Sequence, residues 1–381
     1  SAASDVYKRQ VPLNDLSRLD NSLKKRISVK VAELSVSGNY ILGSEVASFE
    51  KELASYLSVG DSVGVASGTD ALILSFVALG VTQGDTILTM ANAGAYSTVA
   101  ARALGAEPVF VDVSEESLQM SGRQLEKSIE IAKKAGLKPK VVVITHLFGQ
   151  LNKDIEEILQ LAHEAGLFVV EDCAQAIGAK VESGFAGSFA HLSTFSFYPT
   201  KNLGASGDGG AVAGSDKTLT DKVRMLRQYG WGRKYKLELE GGRNSRLDEI
   251  QAAILSTKLP KLNDWNQSRR EIFQSYVGAA SQSVRFFSSS DESYVAHLVP
   301  ITVEGMTQAQ LAHYFEALGI HTSVHFPIPD HRQNIKLKHK ELVPLPVTEL
   351  AAISHVTLPI FPEMKESEIS RVSEALSKAG A

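Results

Sequence analysis

The sequence contains one cysteine, no long apolar run and no excess of charge of one sign. Cys173 alone cannot form an intrachain disulfide, so its isolation favours a reducing compartment such as the cytoplasm. No stretch approaches the roughly 20 apolar residues that span a membrane, and the first residues lack the apolar core of a signal peptide. The 39 basic and 43 acidic residues are mixed along the chain, unlike the basic patches of nucleic-acid-binding proteins. We therefore expect a cytoplasmic protein that binds neither membrane nor nucleic acid.

The composition is that of an ordinary globular protein. Hydrophobic residues make up 44% and charged residues 22% of the 381 residues, which excludes a disordered or fibrous chain. A chain of this length suits one large domain and a smaller one. The polar residues 1 to 10 stand apart from the patterned chain that begins at Val11, and we interpret them as a candidate cloning remnant.

Short β-rich apolar runs alternate with amphipathic helical segments from Ser62 onward. The runs are SVGVA, TILTM, PVFVDV, KVVVIT and LFVVED. This alternation predicts an α/β domain with a mostly parallel sheet between two layers of helices. Two helices are expected before the first strand. Two later runs, LSTFSFY and GAVAG, predict a hairpin or adjacent strands around a glycine-rich turn.

The regular alternation ends after this turn, and longer helical patterns follow. They cover residues 216–226, 247–258, 265–277 and 308–318 and the stretch after Glu366, with Pro260 as punctuation and two apolar runs, VAHLVPITV and HTSVHF, between them. We predict a large domain over residues 11 to 255 and a smaller C-terminal α+β domain over residues 256 to 381.

Four loops at the ends of predicted strands carry suitable chemical groups, and ligands of such sheets bind at that edge. Gly68 and Thr69 open a helix whose free N–H groups can hold a phosphate. Tyr96 can stack on a flat ring. Asp172 ends an apolar strand, where a carboxylate can keep a pyridine nitrogen protonated. Lys201 leaves another strand, and a partly desolvated lysine amine is nucleophilic toward an aldehyde.

Each of these groups also has an ordinary structural explanation. The SGT segment can be a helix cap, Tyr96 a packing residue, Asp172 a capping aspartate and Lys201 a solvated surface charge. Their combination favours chemistry, because phosphate cradle, aromatic, acid and lysine occur in this order, each at the exit of a strand. Together they supply each contact that pyridoxal phosphate needs.

The same segments resemble the DegT/StrS-type nucleotide-sugar aminotransferases, which are fold-type-I pyridoxal-phosphate enzymes. The likeness extends from VPLNDL to the last helix, and its most specific blocks are FSFYPTKNLGASGDGGAV and NSRLDEIQAAIL. These blocks most resemble enzymes that aminate C3 of dTDP-3-keto-6-deoxyhexoses. The resemblance implies transfer of an amino group from L-glutamate to a nucleotide-linked keto sugar in deoxyamino-sugar biosynthesis.

The resemblance also implies the cofactor contacts, residue by residue. Lys201 bonds to the cofactor aldehyde, and Asp172 pairs with the ring nitrogen. The remaining expected contacts are those of Tyr96 with the ring face, of Gln175 with the 3-hydroxyl, and of Gly68, Thr69, Ser196 and the neighbouring subunit's Asn244 with the phosphate. A homodimer with shared active sites is thereby implied, and no metal site is expected.

The substrate contacts implied by the resemblance are those of Tyr198, Lys234 and His325 with the sugar or its pyrophosphate. Each retains a structural alternative: strand packing for Tyr198, a solvated charge for Lys234 and a core imidazole for His325. Phe326 occupies a position where the family commonly has tyrosine, so one hydroxyl contact is missing. His146 also matches a family position, and we interpret it as structural.

Alternative functions remain open at this point. Within enzymes, one alternative is amination at C4 of the keto sugar, and another is action on a different nucleotide or cyclitol ketone. A dehydratase branch of the family has histidine in place of Lys201, and a dehydrogenase would need a G-x-G-x-x-G turn that the first strand lacks. A non-catalytic regulatory protein that binds pyridoxal phosphate is the alternative from another class. The sequence does not identify the sugar, the ring carbon, the nucleotide or the residues that bind the donor carboxylate.

Overall fold

The computed structural model describes residues 10 to 380. Nearly all of the candidate cloning remnant therefore lies outside the described residues. Two helices, α1 (Asn21–Ser37) and α2 (Ser44–Leu57), precede the first strand, as predicted. Asp20 caps α1 by accepting a hydrogen bond from the Leu23 N–H at 3.0 Å. Among residues 10 to 380, no helix is long and apolar enough to cross a membrane.

The described residues up to residue 214 form nine strands: the seven predicted ones, in the predicted order, and two short ones that the sequence did not predict. They are β1 (Asp61–Val65), β2 (Thr86–Met90), β3 (Glu107–Val111), β4 (Pro139–Thr145), β5 (Phe168–Asp172), β6 (Lys180–Val181), β7 (Gly184–Phe185), β8 (Leu192–Ser196) and β9 (Gly210–Gly214). Strands β6 and β7 form a separate hairpin, and the others form one sheet in the order β1-β9-β8-β5-β4-β2-β3. Only β9 runs antiparallel to its neighbours, so the mostly parallel sheet is confirmed, as are the adjacent strands predicted from LSTFSFY and GAVAG.

Helices cover both faces of this sheet. Those of the larger part are α3 (Gly68–Ala78), α4 (Tyr96–Ala103), α5 (Gly122–Lys134), α6 (Ile155–Ala165), α7 (Lys217–Leu226) and α8 (Glu249–Lys258). The side chains of β4 alternate between the two faces: Val142 and Ile144 belong to the core that contains α5 and α6, whereas Val141 and Val143 belong to the core that contains α3 and α7. Because β4 is buried on both sides, its sequence is a continuous apolar run.

Helix α2 receives its N-terminal cap from a residue distant in the chain. No side chain of its own N-cap residue caps α2, but the buried Glu249 accepts hydrogen bonds from the N–H groups of Gly43, Glu45 and Val46 at 2.8 to 2.9 Å. A Cβ atom on Gly43 would lie 2.7 Å from this carboxylate, so glycine permits its close approach. The start of α8 is thereby tied to the start of α2.

An exposed hairpin of β10 (Trp231–Arg233) and β11 (Lys236–Leu237) lies between α7 and α8 in the chain. The C-terminal part contains further helices and a small antiparallel sheet. Its elements are α9 (Leu262–Ala279), β12 (Val284–Phe286), β13 (Val299–Val303), α10 (Gln308–Ala317), α11 (Pro346–Ala352), β14 (Val356–Leu358) and α12 (Glu366–Lys378). Pro260 lies in a 3-10 turn between α8 and α9, where the sequence predicts punctuation. The run HTSVHF forms no strand and contributes only an isolated bridge from Ser323 to Thr357.

The sheet β12-β13-β14 packs with α9, α10 and α12 around a second core. The C-terminal residues do not all belong to this core, because Leu337 and Leu345 pack against the core of the larger part. The N-terminal Val11 belongs to the second core and exchanges two backbone hydrogen bonds with Gly319 and His321, at 2.8 and 3.0 Å. The chain therefore crosses between the two cores more than once, and the division near residue 256 stays a prediction.

Candidate active site

A cavity of about 550 Å³ lies at the carboxyl ends of the parallel strands. All the site residues predicted from the sequence line this cavity except Asn244 and Lys234; those that line it are Gly68, Thr69, Tyr96, Asp172, Gln175, Ser196, Tyr198, Lys201 and His325. The sheet therefore brings together loops that are more than 100 residues apart in the chain.

Lys201 and Asp172 both line the cavity; Asp172 is buried, and Lys201 is largely shielded from solvent. Burial lowers the pKa of Lys201 to about 8, against the opposing influence of the Asp172 charge. Burial raises the pKa of Asp172, against the N–H of Ala174, which donates to its carboxylate at 3.1 Å, and the nearby Lys201 and His146. A neutral, nucleophilic lysine amine is thus populated near pH 7, beside a buried acid.

The N-terminus of α3 forms a cradle for an anion. Ser67 caps this helix by accepting a hydrogen bond from the Asp70 N–H at 3.1 Å, while the N–H groups of Gly68 and Thr69 have no acceptor within the helix. A Cβ atom on Gly68 would lie 2.7 Å from the Cβ of Ser196, so glycine lets β8 approach the start of α3. This arrangement suits a phosphate group, since helix N-termini and hydroxyl groups bind phosphate.

Tyr96 is the first residue of α4 and lines the cavity with half of its surface exposed. The preceding Ala95 has a left-handed conformation with φ of 64° and offers no capping side chain. Asp330 supplies the cap instead, accepting hydrogen bonds from the Ala95 N–H at 2.9 Å and the Thr98 hydroxyl at 2.6 Å. Burial raises the pKa of Asp330 to about 7. The ring of Phe326 meets that of Tyr96 edge-on, with centroids 6.4 Å apart.

Gln175 and His146 are oriented by hydrogen bonds to the backbone. The Gln175 Oε1 accepts from the Phe148 N–H at 2.6 Å, which leaves the Nε2 amide as a donor in the cavity. The Asn152 N–H donates to Nδ1 of His146 at 3.1 Å, so the ring proton lies on Nε2 and is donated to Glu171 at 2.9 Å. Both nitrogens of this fully buried ring are therefore engaged, in agreement with its structural interpretation.

The expected substrate residues have different environments. Tyr198 lines the cavity and is 54% exposed, so it is not a packing residue of the strand. Burial, together with His355 and Lys201, lowers the pKa of His325 to about 4, and its Nδ1 lies 2.9 Å from the Thr357 hydroxyl. His325 is therefore uncharged near pH 7.

Two predicted residues lie outside this cavity. The amine of Lys234 is exposed and lies 5.1 Å from the centre of the Tyr235 ring, at the tip of the β10–β11 hairpin. Asn244 pairs with Gln228 in an isolated bridge. Both remain predictions, and for Asn244 the prediction concerns the cavity of a neighbouring subunit.

Four polar residues of the site were not identified from the sequence. Asn14, Asp208 and His297 line the cavity, and Asp330 holds the start of α4. His297 gave a signal that could have been used, because it interrupts the apolar run VAHLVPITV. Asp330 gave none, since it lies 235 residues from its partner Ala95 in the chain.

The chain is similar over nearly its whole length to two curated proteins with different descriptions. A dTDP-3-amino-3,6-dideoxy-alpha-D-galactopyranose transaminase from Aneurinibacillus thermoaerophilus is 37% identical over 372 residues, which cover 97% of this chain and 99% of the relative. A pleiotropic regulatory protein from Geobacillus stearothermophilus is 35% identical over 375 residues, which cover 97% of this chain and 98% of the relative.

Solved structures with the same fold include aminotransferases. A DegT DnrJ EryC1 StrS aminotransferase from Brucella abortus is 32% identical with a TM-score of 0.90, covering 96% of this chain and 98% of that chain. The ntda structure from Bacillus subtilis, with bound cofactor PMP, is 28% identical with a TM-score of 0.87; the match covers 96% of this chain and 84% of that chain. The buried lysine, the buried acid and the anion cradle fit this type of cofactor.

These similarities agree with the chemistry of the cavity, and pyridoxal phosphate is the cofactor. Residues 21–377 match the DegT/DnrJ/EryC1/StrS aminotransferase family. The chain belongs to this family and is a pyridoxal-phosphate-dependent aminotransferase.

Proposed function

We propose that this chain transfers an amino group from L-glutamate to C3 of a dTDP-3-keto-6-deoxyhexose, in deoxyamino-sugar biosynthesis. The observation that carries the proposal is the pair of Lys201 and Asp172, buried together in a cavity that opens at the strand ends. The choice of sugar is supported by the 37% identity to the Aneurinibacillus thermoaerophilus transaminase.

Lys201 and Asp172 have complementary roles in this proposal. When bound, the cofactor supplies an electron sink for the bonds that change at the amino-acid carbon. Asp172 holds a proton at the cofactor's ring nitrogen. Lys201 bonds to the aldehyde and, once displaced by the amino donor, moves a proton as base and then as acid. A pKa of about 8 suits both directions, because neither protonation state of Lys201 is then rare near pH 7.

The other cofactor contacts follow from the cavity wall. Gly68, Thr69 and Ser196 hold the phosphate, with two N–H groups of a helix start and a hydroxyl as donors. Tyr96 covers the ring face. The Nε2 amide of Gln175 donates to the 3-hydroxyl oxygen, since its Oε1 already accepts from Phe148.

The residues proposed to contact the substrate lie partly in the cavity and partly outside it. Tyr198 and His325 contact the sugar from within the cavity. Lys234 and Asn244 lie outside the cavity of their own chain. In the proposed homodimer, Asn244 reaches the phosphate site of the neighbouring subunit. We place this dimer in the cytoplasm, with residues 11 to 255 as the cofactor-binding domain and residues 256 to 381 as the smaller one.

The direct test incubates purified protein, pyridoxal phosphate and L-glutamate with a panel of dTDP-keto-6-deoxyhexoses and solves each product by NMR. We expect a product with an amine at C3, and 2-oxoglutarate formed in equal amount. The Lys201→Ala protein is the matched control and should form no amino sugar. An amine at C4, or turnover only with another nucleotide or a cyclitol ketone, would replace the proposed substrate with that alternative.

A non-catalytic regulatory role is the second candidate, and the 35% identity to the Geobacillus stearothermophilus regulatory protein favours it. The two candidates differ in how the bound cofactor responds to an amino donor. In an aminotransferase, the visible absorbance of the bound cofactor disappears when L-glutamate is added. An absorbance that persists at saturating L-glutamate would favour the regulatory role.

A further inference from the structure

His297 is a cavity residue that the proposed function does not use. It follows Val295 and Ala296 just before β13, lines the cavity beside Leu298 and is only 8% exposed. Buried imidazoles have defined hydrogen-bond partners, and those of His297 decide which of its nitrogens carries a proton.

The proton position follows from two asparagines with fixed amides. The Asn266 Nδ2 donates to the carbonyl of Ile177 at 3.0 Å, so the Asn266 Oδ1 is an acceptor. The Asn202 Nδ2 donates to that oxygen at 2.8 Å and to the carbonyl of Val295 at 2.9 Å. The Asn202 Oδ1 therefore faces Nδ1 of His297, at 3.0 Å. Because this oxygen can only accept, Nδ1 of His297 carries the proton.

The other nitrogen, Nε2, is left as a bare acceptor if the ring is neutral. Burial lowers the pKa of His297 well below its ordinary value, and the nearby cationic forms of Lys201, Arg269 and, at low pH, His325 act in the same direction. The acids that line the same cavity are Asp172 and Asp208. Within residues 10 to 380, no group donates a hydrogen bond to this Nε2.

Lys201 supplies the complementary group. Its amine is buried in the same cavity, and in the described part of the chain it donates no hydrogen bond. The next residue, Asn202, is the one that orients His297, so the lysine and the imidazole are held by one hydrogen-bonded unit. An unsatisfied donor and an unsatisfied acceptor thus line the same cavity.

We propose that, when the cofactor occupies the cavity and the amine of Lys201 has been displaced from it, Nε2 of His297 accepts a hydrogen bond from this amine and positions it. This inference rests on the proposed role of Lys201. His297 is a positioning residue in this scheme, since it acts through the lysine. The Asn266–Asn202 pair keeps the ring in the tautomer that can accept.

The test compares two substitutions that each retain half of the imidazole. In His297→Asn, the amide nitrogen replaces Nδ1 and keeps the bond to Asn202, but the acceptor at Nε2 is lost. In His297→Gln, the longer side chain replaces Nε2 and keeps an acceptor in the cavity. A purely structural histidine predicts that the asparagine variant resembles the wild type more closely, whereas our proposal predicts the reverse.

The readout is the pKa of Lys201, measured by NMR in protein with ¹³C-labelled lysine, loaded with pyridoxamine phosphate so that the amine is free. We expect His297→Asn to lower this pKa by about one pH unit, because a hydrogen bond to the ammonium form is lost. His297→Gln should retain the wild-type value more closely. The Lys201→Ala protein assigns the resonance, and His313→Asn, at an exposed site on α10, controls for the substitution.

Catalysis gives the second readout. With a competent keto sugar, His297→Asn should lower kcat about tenfold and leave both KM values unchanged, because the lysine is misplaced rather than the substrate. A Lys201 pKa that is the same in wild type and His297→Asn would overturn the proposal. This titration needs neither glutamate nor sugar, so its result is independent of the proposed substrate. Borohydride reduction that fails to attach the cofactor to Lys201 would instead refute the role of the lysine itself.

Discussion

The two walls of the cavity are built in different ways. On the sheet wall, the functional residues lie where strands end or in the segments that follow them: Asp172 ends β5, Gly68 begins α3 and Lys201 lies in the loop after β8. On the opposite wall, His297 and His325 come from irregular segments, and Asp330 supports this side by capping α4. All three are held by hydrogen bonds to residues distant in the chain. The sheet wall can thus be recognised from local sequence, whereas the opposite wall depends on tertiary contacts.

The largest expected effect is on the sheet wall, at its nucleophile. Lys201→Ala should lower the transamination rate by about 10²- to 10⁴-fold or more, because one amine both bonds to the cofactor and moves the proton. The measurement is the rate of 2-oxoglutarate formation. Lys217→Ala, at an exposed position of α7, is the control and should behave as wild type. A wild-type rate in Lys201→Ala would contradict the assignment of Lys201 as the amine that bonds to the cofactor.

The second effect concerns the backbone of the sheet wall. Gly68→Ala should weaken cofactor binding by about 1–3 kcal/mol, because the new Cβ would lie 2.7 Å from Ser196 and separate β8 from α3. Fluorescence titration with pyridoxal phosphate gives the dissociation constant. Gly278→Ala, in α9, is the matched control, since nothing lies within 4 Å of its added Cβ. Equal cofactor affinity in the two variants would show that the close approach is unimportant.

The third effect tests the opposite wall through Asp330. Asp330→Ala should lower the free energy of unfolding by about 1–2 kcal/mol, because the cap of α4 is lost. Asp330→Asn should cost less, since an amide can still accept from Ala95 and donate to the Thr98 hydroxyl. Urea unfolding measures both. The capping of α4 by Asp330 would be contradicted if the asparagine variant were less stable than the alanine variant.

The fourth effect is the pH dependence of the same contact. The pKa of Asp330 is raised by burial to about 7 in the folded chain, above that of an aspartate in the unfolded chain. The folded state therefore holds a proton that the unfolded state releases, so this contribution is complete below about pH 4 and is lost as the pH rises through 7. Wild type should therefore lose stability relative to Asp330→Asn between about pH 4 and about pH 7, the window set by these two pKa values. Parallel stability curves for the two proteins would contradict it.

The smallest effect concerns a residue that belongs to neither wall of its own cavity. Lys234→Ala should raise the KM for the nucleotide sugar a few-fold, about what one exposed charge contributes, and the effect should shrink at high salt. The exposed Lys236, which is paired with Glu238, is the matched control for charge removal in the same hairpin. An unchanged KM in Lys234→Ala would return this lysine to its alternative as a solvated surface charge.

The predictions from sequence were most accurate where the evidence was local. The alternating runs predicted the sheet and its helices because strand and helix periodicity are properties of neighbouring residues. Helix ends were less well predicted: α9 begins at Leu262, before the predicted start at residue 265, because the chain resumes helical geometry directly after the turn at Pro260. The segment HTSVHF has the pattern of an apolar run but forms no strand. Its β pairing is limited to the single bridge between Ser323 and Thr357.

By itself, the sequence determined the α/β architecture, the family and the candidate residues at the strand ends, because each of these depends on residue types at short spacing. The tertiary structure alone decided the low pKa of Lys201, the tautomer of His297 and the capping of α4 by Asp330. Burial and hydrogen-bond direction are produced by atoms that meet only after the chain has folded. For His297 and Asp330 those atoms lie 95 and 235 residues away in the chain, beyond any local pattern.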